Sequence, residues 1–233
     1  MRTSVLSLGG SIISPDKPNS SFLADFLKSV SKYLSDNPDD RLILVCGGGA
    51  PARDYQKAYR EVVTDANVQD NGVQDWIGIK ATHLNAQLVK AILGDLCKDP
   101  VVTNPTLEEV QFTGKILVAG GWKPGFSTDT DAVYLAKRFG AKTVVNLSNI
   151  AKVYTDDPRK NPNAKPLDQI SWADFRKMVG DEWVPGKNTP FDPIASGLAS
   201  EANITVVCAD GRNVANTVAI LTGKDFEGTV IGG

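Results

Sequence analysis

Three short glycine-rich stretches hold the residues best placed to do chemistry: Gly9-Gly10-Ser11, Gly47-Gly48-Gly49, and Gly120-Gly121 continuing through Lys123, Gly125, Ser127 and Thr128. Each closes an apolar run, and the second leads at once into Ala50-Pro51-Ala52-Arg53. A strand that ends in glycines before a helix start offers an anion backbone N–H groups and the positive end of the helix dipole. Pro51 suits the first turn of such a helix, where its missing N–H costs nothing. Arg53, in the same turn, is placed to add a bidentate contact to that anion. Taken singly, each stretch is equally a tight strand-to-helix turn without a ligand. Three in one chain fit phosphoryl transfer better. Two polyanions held head to head need many donors, and positioning with charge neutralisation supplies most of the rate.

Other phosphate devices fit less well. Gly47-x-Gly49-x-x-Ala52 matches the loose dinucleotide fingerprint, but that motif needs a second strand ending in an acid about 20 residues on. Thr64 to Gly72 is polar and cannot build it. No G-x-x-x-x-G-K-[ST] pattern occurs. The sole histidine, His83, lies in a helical stretch without a His or Cys partner nearby and is not read as a metal ligand.

The elements that would position these turns alternate from end to end. Strands are expected at Val5–Leu8, Leu42–Cys46, Ile116–Ala119, Thr143–Leu147, Ile204–Cys208 and Thr229–Ile231, with a weaker one at Pro100–Thr103. Helical spacing marks Phe22 to Leu34, Ala52-Tyr55-Tyr59-Val62, Trp76 to Leu93 (with Asp75 near its start), Leu107 to Phe112, Val133 to Phe139, Trp172 to Val179 and Asn213 to Leu221. Asp192-Pro193 is an N-cap and N1 pair for a helix through Glu201. Thr155 to Pro166 is a polar loop. This alternation predicts an α/β fold, a mainly parallel sheet with helices on both faces. In such sheets ligands gather beyond the carboxyl ends of the strands. The turns after Leu8, Cys46 and Ala119 and the exit after Leu147 all lie at such ends, so one crevice is expected to collect them.

At 233 residues the chain can bury a large core. A formal net charge of −2 gives no case for a nucleic-acid or anionic-membrane surface. No apolar run approaches the about 18 residues of a membrane span, and no signal-peptide pattern is present. Cys46, Cys97 and Cys208 are scattered and read as buried free thiols. A cytoplasmic location is expected.

Taken together, these residues resemble the amino-acid-kinase superfamily, and most closely its archaeal-type uridylate (UMP) kinases. The resemblance runs from about residue 3 to 231. It is carried by Leu8-Gly9-Gly10-Ser11, Gly47-Gly48-Gly49-x-x-Ala52-Arg53-x-Tyr55, Asp75-Trp76-Ile77-Gly78-Ile79, Asn85-Ala86 and Gly120-Gly121-x-x-Pro124-Gly125-x-Ser127-Thr128-Asp129. Asn149, Val153-Tyr154, Asp157-Pro158 and Asp192-Pro193-Ile194-Ala195 extend it. It implies a single three-layer αβα domain over 1–233, its N-terminal half mainly the acceptor site and its C-terminal half mainly the ATP site. It also implies transfer of the ATP γ-phosphoryl to UMP in pyrimidine nucleotide synthesis, with Mg²⁺, by an oligomer that is hexameric in the family. Gly9, Gly10, Ser11, Gly49 and Arg53 would meet the ATP phosphates. Ser148, Tyr154 and Asp157 would line the adenosine pocket. Gly47 and Gly48 would lie on the UMP side, Asp75 would accept from the ribose hydroxyls, and Trp122, Lys123, Pro124, Gly125, Phe126, Ser127 and Thr128 would wrap UMP. Loop, capping or packing roles remain the alternatives, above all for Ser148, Asp157 and Tyr154.

Three departures stand out. Many relatives carry on the first strand a lysine that bridges the transferring phosphoryl; here that place is Ser7. The Asp-Gly usual in the nucleotide loop is Ala151-Lys152. Asp192, which orients that lysine in relatives, is kept as a catalytic candidate with Arg53, helping to hold Mg²⁺ or simply capping its helix. The metal's ligands are left open. Lys123 or Lys187 are candidates for the missing charge, and Phe22, Leu23 and Phe26, or Trp76 to Leu88, for a subunit contact. Rival readings are an isopentenyl phosphate kinase, which lacks support because no histidine follows the glycine loop, an acetylglutamate or aspartate kinase, and a nucleotide- or oxyanion-binding protein without turnover.

Overall fold

The computed structural model describes residues 2–65, 68–180 and 189–232. Seven strands form one sheet in the order β3-β2-β1-β4-β8-β9-β7. They are β1 (Arg2–Leu8), β2 (Asp40–Cys46), β3 (Ile116–Ala119), β4 (Thr143–Ser148), β7 (Gln169–Ile170), β8 (Thr205–Asp210) and β9 (Thr229–Ile231). Every pairing is parallel except β8 with β9. A small antiparallel pair, β5 (Val153–Tyr154) and β6 (Pro166–Leu167), carries the polar loop between them. The expected α/β, αβα architecture is therefore what the chain adopts.

The strands are buried on both faces because each alternates between two cores. Leu6, Leu8, Leu42, Leu44, Cys46, Val145 and Leu147 meet α2 (Ser20–Asp36), α4 (Asn71–Leu93) and α8 (Val214–Thr222). Val5, Ile43, Val45, Leu117, Val144 and Val206 face α5 (Thr128–Arg138), α6 (Trp172–Val179) and α7 (Pro193–Glu201). Fully burying each such aliphatic side chain contributes about 1.5–3 kcal/mol. The alternation turns Ser7 to the α5 side, a placement used below. All three cysteines are free and buried, and burial pushes their thiols up, as suits inert packing. No helix among the described residues is long and apolar enough to cross a membrane.

Three sequence expectations are corrected. Leu107 to Phe112 forms turns, not a helix. Side chains there take backbone groups that a helix would use: Arg138 bonds the Glu108 and Val110 carbonyls, Arg41 the Phe112 carbonyl, and the Asp99 carboxylate the Thr113 and Gly114 N–H groups. The strand over Pro100–Thr103 shrinks to one bridge, Val102 with Ala119. The helical spacing of Ala52, Tyr55, Tyr59 and Val62 falls on α3 (Gly49–Val62) as expected, where only Ala50 is buried while Tyr55 is 72% and Val62 82% exposed. Phe22, Leu23 and Phe26 are core residues under α2, so they cannot form a subunit contact, whereas Trp76 and Leu84 on α4 are exposed. Two helical features were not foreseen: the four-residue α1 (Gly10–Ile13), and the start of α4 at Asn71, capped by Asp70 accepting from the Gly72 and Val73 N–H groups.

Candidate active site

The glycine turns after β1 and β2 touch. A Cβ on Gly10 would lie 2.0 Å from the Gly49 nitrogen, and one on Gly47 2.5 Å from the Gly10 nitrogen, so no larger residue fits at either contact. Gly49 also has φ +67°, a left-handed value that disfavours a side chain. The register explains the meeting: β1 and β2 pair in parallel from Arg2 with Asp40 to Leu8 with Cys46, so both end at the same level. The β4 exit joins them, since Gly9 N–H donates to the Leu147 carbonyl at 2.8 Å. Gly211, just after β8, donates to the Ser148 carbonyl at 2.9 Å.

Helix α4 ties the third turn to the second. Asn85 Nδ2 donates to the Gly47 carbonyl at 2.7 Å and the Gly48 carbonyl at 3.0 Å. From the preceding turn, Thr82 Oγ1 accepts from Gly121 N–H at 2.7 Å, and His83 Nε2 donates to the Gly121 carbonyl at 2.7 Å. Near the start of α4, Asp75 Oδ2 accepts from Gly125 N–H at 2.9 Å. The tips after Leu8, Cys46, Ala119 and Leu147 thus border one cleft. The polar spacing of Asp75, Thr82, His83 and Asn85 on one helix was the signal for this bracket, hidden because single polar residues in a helix usually face water.

Within the cleft, the loop Trp122 to Thr128 is held to its neighbours and packed on itself. Trp122 N–H donates to Asp131 Oδ2 at 3.1 Å. Trp122 and Phe126 ring centroids are 5.1 Å apart, and the Lys123 ammonium lies 4.0 Å from the first and 4.8 Å from the second. Ser127 caps α5, its Oγ accepting from Thr130 N–H, and Thr128 opens that helix.

Asp192, a catalytic candidate from sequence, lies beside Asp129, to which the sequence assigned no role. Ser7 Oγ donates to Asp129 Oδ1 at 3.1 Å, and Asp192 N–H donates to Asp129 Oδ2 at 3.3 Å. Asp192 is buried, and its Oδ1 accepts from Ala195 N–H at 2.8 Å and from Thr130 Oγ1 at 3.3 Å, so it caps α7 as expected. Desolvation and the nearby Asp192 charge push Asp129 up to about 7. Asp131 is raised to about 7 as well, chiefly by burial. Two acids in the first turn of a helix ordinarily signal a solvated, dipole-favoured end, which is why the burial of Asp131 was not legible.

The remaining candidates are less converged. Arg53 donates to the Pro15 carbonyl at 2.7 Å, across the mouth of the β1–β2 turns. Ser148 Oγ accepts from Ile150 N–H, the turn role held as its alternative. Asp157 is engaged by Arg159 through two nitrogens at 3.0 and 3.1 Å, which holds its carboxyl below the usual range. Tyr154 pairs with Pro166 in the β5–β6 hairpin. Lys152 pairs with Asp168. Arg212, unassigned from sequence, grips Asp210 and reaches the Asn149 carbonyl beside the β4 exit. Lys187 lies outside the described residues.

Residues 2–210 match the model of the amino acid kinase family. The chain is 36% identical to the uridylate kinase of Methanospirillum hungatei, covering 99% of this chain and 95% of that protein. It is 34% identical to the uridylate kinase of Pyrococcus abyssi, at 97% and 98% coverage. Among solved structures, uridylate kinase from Archaeoglobus fulgidus superposes with a TM-score of 0.81 at 30% identity over 100% of both chains. UMP kinase from Bacillus anthracis shares the fold, with a TM-score of 0.76 at 18% identity.

Proposed function

The chain belongs to the amino acid kinase family, and from that membership we propose that it is a nucleoside monophosphate kinase that transfers the γ-phosphoryl of ATP to UMP, giving UDP. The observation that carries the reading is the convergence of the β1, β2, β3 and β4 exits on one cleft, which sets the starts of α1 and α3 side by side. The near full-length likeness to uridylate kinases supports UMP as acceptor.

On this reading ATP phosphates lie against Gly9, Gly10, Ser11 and Gly49, at the starts of α1 and α3, with Arg53 turning from the Pro15 carbonyl to the anion. UMP lies between Gly47-Gly48 and the 122–128 loop. Asp75 holds Gly125 through Oδ2, which supports a ribose contact through its other oxygen. Adenosine would take the Ser148–Tyr154–Asp157 side. The protein's contribution is in-line placement and neutralisation of charge. Mg²⁺ supplied with ATP would neutralise phosphate charge. Such an ion takes only one or two carboxylates besides phosphate and water. Asp129 and Asp192, all-oxygen donors at the α5 and α7 starts, fit that role. The N-terminal half then serves mainly the acceptor and the C-terminal half mainly ATP. A homo-oligomer of the family's hexameric kind and a cytoplasmic location belong to the same proposal; the exposed Tyr55, Val62, Trp76 and Leu84 support the former.

A coupled assay of ADP release with UMP, CMP, AMP and isopentenyl phosphate tests the reading. Turnover with UMP well above the others is the expected result. Equal or better turnover with isopentenyl phosphate, or tight UMP binding without ADP release, would replace it with one of the rival functions.

A further inference from the structure

We propose that Trp122 and Phe126 form a stacking platform for the pyrimidine ring of the acceptor, on which the Lys123 ammonium rests until the substrate phosphate draws it away. The inference rests on the reading above that this loop holds UMP. The loop backbone is fixed at three points: Gly121 by Thr82 and His83, Trp122 N–H by Asp131, and Gly125 N–H by Asp75. The side chains between those points therefore stand on a rigid base. The Trp122 ring is held further by Tyr134, edge-on at 5.8 Å between centroids.

Lys123 has no carboxylate partner among the described residues; its contacts are the two ring faces, at 4.0 and 4.8 Å. An ammonium over aromatic faces is attracted by the ring quadrupoles, an interaction weaker at an exposed site than a charge-assisted bond to phosphate. A nucleoside monophosphate brings both a planar ring for the platform and a dianion for the lysine. One ligand thus takes the ring face and relocates the cation. Ring and ammonium compete for the same surface. A nucleoside without phosphate must displace Lys123 and gives it nothing in return.

That competition makes the two halves of the acceptor respond oppositely to one substitution. Binding of UMP and of uridine is measured by calorimetry for the wild type, Lys123→Met, Lys123→Arg and Trp122→Leu, with thermal melting of each. Lys123→Met should weaken UMP about tenfold or more while uridine binds as well as before or tighter, and Lys123→Arg should restore most of the UMP affinity. Trp122→Leu should weaken both ligands. The inference is overturned if Lys123→Met weakens UMP and uridine alike, or spares UMP, or if Trp122→Leu leaves uridine unchanged. Failure of the wild type to bind and phosphorylate UMP would overturn the kinase reading itself, and this inference with it; the other outcomes touch the platform alone.

Discussion

Ser7 Oγ donates to Asp129 Oδ1 across 3.1 Å, joining the tip of β1 to the first turn of α5. The bond stands where many relatives are expected to carry a lysine. It gives Asp129 a hydroxyl partner in place of a cation among the described residues. Lys123, considered from sequence as the substitute, rests on Trp122 and Phe126.

Ser7→Lys should therefore place an ammonium beside Asp129, which on the proposed reading lies near the phosphoryl path. Turnover with UMP is expected to rise by about tenfold or more, the scale of a single electrostatic contact in such a site. Steady-state kinetics with thermal melting checks this. A variant that melts like the wild type yet turns over no faster would show that the charge is already supplied.

Stability should fall as pH rises from 4 to 7. Asp129 and Asp131 are raised from 3.8 to about 7 in the folded chain, so the native state holds protons that the unfolded chain has released. The penalty is absent below the unfolded value, grows through this window and levels off above it. It amounts to at most on the order of 4 kcal/mol per group. Asp129→Asn should flatten the curve of melting temperature against pH. An unchanged slope in that variant would assign the effect elsewhere.

Gly10→Ala should destabilise the protein by about 3 kcal/mol or more and abolish ATP binding, because its Cβ would meet the Gly49 backbone at 2.0 Å. Gly197→Ala is the contrast, an α7 position with nothing within 4 Å of the added carbon. It should stabilise by about 0.5–1 kcal/mol. Urea denaturation of both variants measures the difference, and equal effects would count against the contact of the two turns.

Asp75→Asn keeps an oxygen for Gly125 N–H but loses the charge that, on the proposed reading, faces the ribose. The KM for UMP should rise about tenfold with the KM for ATP unchanged, as for a contact made by one substrate. A parallel rise in both would mean that Asp75 only braces the loop.

Val62→Asp and Leu84→Asp put charges on α3 and α4 faces that are 82% and 66% exposed in the single chain. If these faces meet between subunits, sedimentation should shift to smaller species without unfolding. Wild-type mass retained in both variants would exclude this surface as the contact.

Much of the fold was legible because its signals are local. Runs such as Leu42–Cys46 can satisfy backbone and side chains only as a strand buried on both faces, and Asp192-Pro193 announces a helix start by itself. The segment from Leu107 to Phe112 misled because its apolar spacing suits a helix, while Arg41 and Arg138, distant in sequence, take its carbonyls. The Tyr55–Val62 stripe has helical spacing, but spacing alone cannot say what the stripe faces.

The chain by itself determined the strand–glycine–helix rhythm and hence the parallel sheet whose exits carry the donors, since each depends on neighbours within a few residues. Only the tertiary structure decided which exits touch, that α4 brackets two of them through Asp75, Thr82, His83 and Asn85, and that Ser7 meets Asp129, which also accepts from the Asp192 N–H. Those relations join positions tens to well over a hundred residues apart. Strand order and register bring them together, and no local pattern encodes either.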